Sequence, residues 1–185
     1  MVRVIGGIAR GRKLKTRKGW ETRPTGDRVK ESLFNILQPL LPGAFMLDIF
    51  AGTGNIGIEA LSRGAEKCVF IEKNHQCVKI ITENLALCGF TRSGEVIHSD
   101  AVPALLVLGR KLCKFDLIFL DPPYHGTLLV PVLAAIYDNA LLAEEGIVVV
   151  EHHVDAEDWW QPTQWQPSRK KKYGDTAITF LTPAN

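Results

Sequence analysis

Residues 45–57, FMLDIFAGTGNIG, take the chain from an apolar run that reaches Asp48 into a loop with glycines at 52, 54 and 57. The residues that follow, Ile58 to Arg63, favour a helix, and Gly64 is placed to close it. The order is strand, glycine-rich turn, helix. Glycine lets the backbone turn sharply and approach a ligand closely, and the helix it opens presents unpaired N–H groups at a partially positive end. A nucleotide-like ligand suits such a loop.

Two kinds of cofactor fit it. The glycine spacing satisfies G-x-G-x-x-G, and Glu72 stands 20 positions after Gly52, where a dinucleotide fold places an acid for a ribose. The acid at Asp48, two residues before Phe50, resembles motif I of the S-adenosylmethionine-dependent methyltransferases instead. Their cofactor carries a cationic amino group for such a carboxylate to meet, whereas dinucleotide enzymes more often keep that position apolar. Methyl transfer is therefore the leading expectation and a dinucleotide-dependent oxidoreductase the alternative.

At 185 residues the chain suits one domain and a modest appendage, divided as 1–42 and 43–185. No run approaches ~18 apolar residues, and charges stand near the N-terminus where a secretion signal needs apolar ones, so a soluble, cytoplasmic protein is expected. Cys68, Cys77, Cys88 and Cys113 form no C-x-x-C pair and no cluster with histidine, which argues against a disulfide framework and against a metal site. The net charge of +2 conceals an asymmetry: residues 1–30 hold ten Lys and Arg against two acids, a balance of +8, and the remainder sums to −6. A basic arm on a mildly acidic body suits a polyanion such as nucleic acid.

Residues 2–15 alternate weakly around Gly6-Gly7 and Gly11, as a short β-hairpin would. A loop at 21–28 then leads into a helix from about Arg28 to Leu37, capped by Thr25 or Asp27, with Val29, Leu33, Ile36 and Leu37 as its apolar face. Further strands are read at 68–71, 95–98, 115–120 and 146–150, with helices at 76–87, 101–110 and 128–138 between them. That alternation predicts a parallel sheet with Asp48, Glu72, Asp100 and Asp121 at its carboxyl edge. Trp159, Trp160 and Trp165 are assigned to a linker and to packing under the last strands. Residues 170–173 and 176–181 then form an antiparallel hairpin. Such an ending resembles the Rossmann-like seven-stranded α/β methyltransferase fold, here with a small basic N-terminal hairpin and helix attached.

The second informative stretch is Asp121-Pro122-Pro123-Tyr124. Two prolines stiffen the turn and fix where its carbonyls point. A carboxylate, a carbonyl and an aromatic ring then converge, which suits an exocyclic amine on a planar base: the oxygens accept its N–H groups and the ring stacks. The tetrapeptide resembles motif IV of the amino-methyltransferases.

Together RVIGGIARGRKL at 3–14, RPTGDRVKESLFNIL at 23–37, DIFAGTGNIGIEALSRGA at 48–65 and DPPY at 121–124 resemble the RsmD family, which methylates the N2 amine of one guanine in 16S ribosomal RNA. The resemblance covers nearly the whole chain. It implies that Asp48, Phe50, Ala51, Gly52 and Gly54 hold the methionine part of S-adenosylmethionine, Glu72 and Lys73 the ribose side, and Asp100 with Ala101 the adenine. It implies further that Asp121, Pro122, Pro123 and Tyr124 hold the guanine, and that Arg10, Arg12, Lys13, Arg23 and Arg28 grip RNA phosphates. Asn55, Lys30 and Ser32 depart from the family pattern, which puts fine cofactor contacts in question.

The expected partner is 16S rRNA, naked or in a small-subunit particle, with no metal, no membrane and a monomeric protein. DNA adenine-N6 methylation shares the DPPY motif but wants a larger base-reading surface. A non-catalytic RNA-binding assembly factor is the remaining alternative. Lys170 to Lys172 read either as a second RNA contact or as charges guarding a strand edge. No role is assigned to the histidines.

Overall fold

The computed structural model describes residues 2–17, 26–122, 128–156 and 164–184. Seven strands form one sheet: β1 (Phe45–Ile49), β2 (Lys67–Glu72), β3 (Gly94–His98), β4 (Phe115–Leu120), β5 (Leu142–His153), β6 (Trp165–Tyr173) and β7 (Thr176–Pro183). Their order is β3-β2-β1-β4-β5-β7-β6, parallel except for β7, which runs against both its neighbours. Seven strands ending in an antiparallel hairpin are what the sequence predicts. The order reverses between β1 and β4, and ligands of open α/β sheets bind beyond the carboxyl ends of the strands at such a reversal.

Among the described residues five α-helices cover the two faces: α1 (Asp27–Leu37), α2 (Asn55–Ser62), α3 (His75–Cys88), α4 (Ala101–Arg110) and α5 (Leu129–Asp138). On one face Leu33, Phe34 and Leu37 of α1, Ile56 and Ile58 of α2 and Ile81 of α3 pack on Phe70, Phe119, Val149 and Phe180. On the other, Leu105 and Leu108 of α4 and Val132, Leu133 and Ile136 of α5 pack on Leu47, Ile118, Leu120 and Val150. Strand alternation sorts the sheet's side chains between these two cores.

The arm joins the first core. Val4, Ala9 and Leu14 are buried in it, and Arg3 pairs with Lys13 across an antiparallel bridge, extended by Val4 N–H to Arg12 O and Leu14 N–H to Val2 O. The expected ribbon is thus present, tightly seated rather than extended into solvent.

Several boundaries differ from the sequence reading. Helix α2 starts at Asn55, three residues earlier, because Gly54 adopts φ 77° and turns directly into it. Strand β5 spans 142–153 and so contains His152 and His153, and Trp165 belongs to β6 rather than to a linker. Its Nε1 donates to Leu133 O at 3.0 Å, which satisfies the indole while the ring is buried. Trp159 and Trp160 lie outside the described residues. Helix α1 is preceded by Gly26 at the N-cap position with no side-chain cap; Asp27 pairs with Arg3 at 3.0 Å instead, and Thr25 lies outside the described residues. The buried face of α1 runs through Lys30, Leu33, Phe34 and Leu37, with Val29 and Ile36 at its margins.

Candidate active site

Three acids expected at the carboxyl edge share one face of the sheet. Asp48 pairs in register with Phe70 and Phe119, which lie in the α1–α3 core, so it points to that side; Glu72 lies two residues past Phe70 and follows it. Asp121 comes next after Leu120, which packs in the opposite core, and so returns to the α1–α3 side. Its N–H donates to Ile49 O at 3.4 Å, holding the start of the motif beside the end of β1.

The glycine loop is built between these acids. Phe50 has φ 64°, a left-handed conformation uncommon for a non-glycine residue, and Gly52 and Gly54 follow at 57° and 77°. Asp48 is 2% exposed, and its Oδ2 accepts the Gly57 N–H at 3.0 Å, placing the carboxylate at the positive end of α2. Glu72 closes the other side: Oε2 accepts Gly52 N–H at 2.8 Å and Oε1 accepts Asn74 N–H at 2.7 Å. Gly57 has a packing role, since a Cβ there would stand 2.3 Å from the Phe70 ring and 2.6 Å from Cys68 Sγ. At Gly52 a Cβ would meet only the Phe50 carbonyl, at 4.0 Å, so the space before this glycine is open.

Burial pushes the Asp48 carboxyl up to about 7, with the Glu72 charge adding to the shift and the Gly57 hydrogen bond opposing it. Asp121 is exposed; desolvation of its carboxyl first, then the charges of Glu151 and Asp48, push it well above the ordinary carboxylate range. A bound cation relieves like-charge strain of this kind. The donor set therefore fits a sulfonium- and ammonium-bearing cofactor: Asp48 and Glu72 each retain acceptor capacity beyond the bonds they make.

Asp100 occupies the N-cap position of α4 but makes no capping hydrogen bond, and its side chain is exposed at the end of β3 beside Ala101. Lys73 is exposed, and its carbonyl bonds His98 Nε2 at 3.0 Å; the His98 and His75 rings lie 5.4 Å apart. Pro122 follows Asp121 and is half-buried. Pro123, Tyr124 and Arg23 lie outside the described residues, as do His125 and Trp20.

The basic residues do not all converge here. The arm's return strand runs down α3 towards the carboxyl edge: Arg12 is near Cys88, Lys15 is held by Asn84, and Arg17 is near Cys77. Arg12 thus sits about 16 Å up α3 from Arg17 by helix rise. Arg10 and Lys13 are exposed along the same arm, while Arg28 is exposed on the first turn of α1.

What the sequence reading missed is how the arm is anchored. Glu59 is fully buried, and its carboxylate accepts Ile5 N–H at 2.8 Å, Gly6 N–H at 2.7 Å and Arg63 Nε at 2.8 Å while pairing with Lys30 Nζ at 3.1 Å. Lys30, 1% exposed, donates further to Arg3 O and to Asn55 Oδ1. Asn84 accepts Lys15 N–H and donates to the carbonyls of Lys15 and of Thr53, in the glycine loop. Ser62 accepts Ala9 N–H and donates to Gly6 O. An acid amid Ile56, Ile58, Ala60 and Leu61, and a lysine on the Leu33–Leu37 stripe, were the available signals. Asn55 and Lys30 bond each other, so Asn55 serves the arm; Ser32 bonds Tyr173 at 2.6 Å.

An open concavity of about 430 Å³ lies by Gly7, Ile8, Leu61 and Arg63, at the opposite end of α2 from the glycine loop. It touches none of the carboxylates. Among the described residues, no group of three or more His, Cys, Asp or Glu is arranged to hold a metal ion, and no helix is long and apolar enough to cross a membrane.

Comparison with known proteins identifies the family. The sequence family described as "conserved hypothetical protein 95" matches residues 2–182. Ribosomal RNA small subunit methyltransferase D of Escherichia coli is 37% identical over 95% of this chain and 87% of its own length, and that of Haemophilus influenzae 37% identical over 94% and 89%. The chain belongs to the RsmD family. YlbH of Bacillus subtilis is 40% identical over 97% of both chains. A solved yhhF methyltransferase structure from Escherichia coli superposes with a TM-score of 0.86 at 33% identity, covering 100% of this chain and 98% of that one. Family and fold make the RsmD-family protein described here an S-adenosylmethionine-dependent methyltransferase.

Proposed function

We propose that this protein transfers a methyl group from S-adenosylmethionine to the exocyclic N2 amine of a guanine in small-subunit ribosomal RNA, in the cytoplasm and as a monomer. The observation that carries the reading is the placement of Asp48, Glu72 and Asp121 on one sheet face at one edge, with a basic arm descending to that edge. The relatives named ribosomal RNA small subunit methyltransferase D support the substrate class.

In this reading residues 1–42 are the RNA-binding extension and 43–185 the methyl-transfer unit, a division of labour within one packed molecule. Asp48 and the loop from Phe50 through Ala51, Gly52 and Gly54 hold the cofactor's amino-acid end. Glu72 and Lys73 hold the ribose side, and Asp100 with Ala101 the adenine. S-adenosylmethionine supplies an electrophilic methyl on a sulfonium. The chain's task is to orient the amine, whose lone pair is delocalised into the base. Asp121 and the Pro122 carbonyl accept its N–H groups, which favours a more tetrahedral nitrogen, and Tyr124, after Pro123, stacks on the ring. Arg10, Arg12, Lys13, Arg23 and Arg28 bind phosphates, the more distant of them reaching RNA beyond the target nucleotide.

An Asp121→Ala variant separates the enzyme from an assembly factor that merely keeps the fold. It is expected to bind rRNA within a few-fold of wild type in a filter-binding assay while methylation falls at least ~100-fold. Methylation close to wild type would remove Asp121 from the mechanism.

A further inference from the structure

The basic run at 169–172 is divided by the fold. Among the described residues strand β6 pairs only with β7, and Tyr173 Oη bonds Ser32 Oγ at 2.6 Å, which fixes the strand's end against α1. In register, Arg169 lies opposite Phe180 and Val149, and Lys171 opposite Ile178 and Glu151. Phe180, Val149 and Ile178 belong to the α1–α3 core, so Arg169 and Lys171 stand on that face. Lys170 lies opposite Thr179 and Val150, and Lys172 opposite Ala177 and His152, on the other face.

The row through Lys171 also leads to the site. It runs across Ile178 to Glu151; Leu120, the last residue of β4, pairs with Val150, so Asp121, one residue beyond the strand, follows at the level of Glu151. Three strand spacings separate Asp121 from Lys171, about 14 Å. Strand β6 runs parallel to β1, so its Tyr173 end lies at the carboxyl edge with the acids. A register shift between Pro167 and Arg169 sets the start of this alternation.

We propose that Arg169 and Lys171 form a second phosphate-binding surface for the RNA substrate, across the site from the N-terminal arm. This rests on the RNA reading above. Both side chains are exposed, both lie on the face that carries Asp121, and their distance from it suits the backbone of nucleotides flanking a base held there. The arm then grips RNA on one side of the target and β6 on the other. Lysines that merely guard a strand edge against pairing need no particular face. Lys172, adjacent in sequence and equally exposed but on the opposite face, is therefore the internal control.

The test compares Lys171→Ala, Arg169→Ala and Lys172→Ala in the full chain, measuring rRNA methylation and binding over a range of salt concentrations. Lys171→Ala and Arg169→Ala are each expected to raise KM for RNA several-fold, leave kcat near wild type and lower the slope of log affinity against log salt by about one. Lys172→Ala is expected to stay within about two-fold of wild type on every reading. Equal effects of Lys171→Ala and Lys172→Ala, or none from either, on a wild type that methylates RNA would overturn this proposal alone. A wild type that methylates no RNA would overturn the reading beneath it as well.

Discussion

Asp48 concentrates the chemistry of the site in one carboxyl group. It is buried, it accepts the Gly57 N–H in the first turn of α2 from the end of β1, and its carboxyl is pushed up to about 7. A carboxyl raised in the folded state binds its proton more tightly there than in the unfolded chain. The ligand-free protein therefore loses stability as pH rises from the ordinary carboxylate range, about 4, through 7, by up to about 4 kcal/mol. Asp48→Asn keeps an acceptor for Gly57 and removes the charge. Scanning calorimetry of the ligand-free proteins is expected to show the variant more stable than wild type, by a margin that widens between pH 5 and pH 8. Calorimetric titration with S-adenosylmethionine should show the opposite sign, with affinity at least ~10-fold weaker in the variant and falling in wild type below pH 7. A stability margin independent of pH would contradict the assignment.

Helix α2 joins the glycine loop to the arm. Its first residues receive the glycine loop, and Glu59 and Ser62 hold the backbone of the arm. Lys30 ties α1 to both, reaching Glu59, Asn55 and Arg3 O. Burial lowers the Lys30 pKa, and the Glu59 charge opposes that shift. Removing one member of such a pair leaves the other buried and undercompensated. Lys30→Met is expected to cost about 3 kcal/mol in urea unfolding and to raise KM for RNA more than KM for the methyl donor. A loss below about 1 kcal/mol would show that Arg63 and the arm amides suffice for Glu59. The elements themselves were readable because apolar periodicity fixes strands and helices. The face of α1 was not, because Lys30 breaks the apolar pattern yet is buried by a partner 29 residues away in sequence. The early start of α2 was missed for a local reason: Gly54 in a left-handed conformation serves as turn and N-cap at once.

At the scale of the molecule, the seven-stranded order brings to one edge acids that lie up to 73 residues apart in the sequence. Their positions at or near strand ends were readable from the alternation of apolar runs and acids. What no linear pattern carries is the register across strands, and that register puts Asp121, Glu151 and Lys171 in one row and divides Lys171 from Lys172. Nor does the charge count reveal that the arm is clamped by Glu59, Ser62 and Asn84, with Arg12 and Arg17 near opposite ends of α3. The central claim is that this edge methylates a guanine amine in ribosomal RNA. Its most direct test is transfer of labelled methyl from S-adenosylmethionine to unmethylated small-subunit rRNA, both naked and in protein-bound particles, followed by nucleoside analysis of the product. N2-methylguanosine at a single position is the expected product. No transfer to either form, with N6-methyladenine formed in DNA instead, would contradict it.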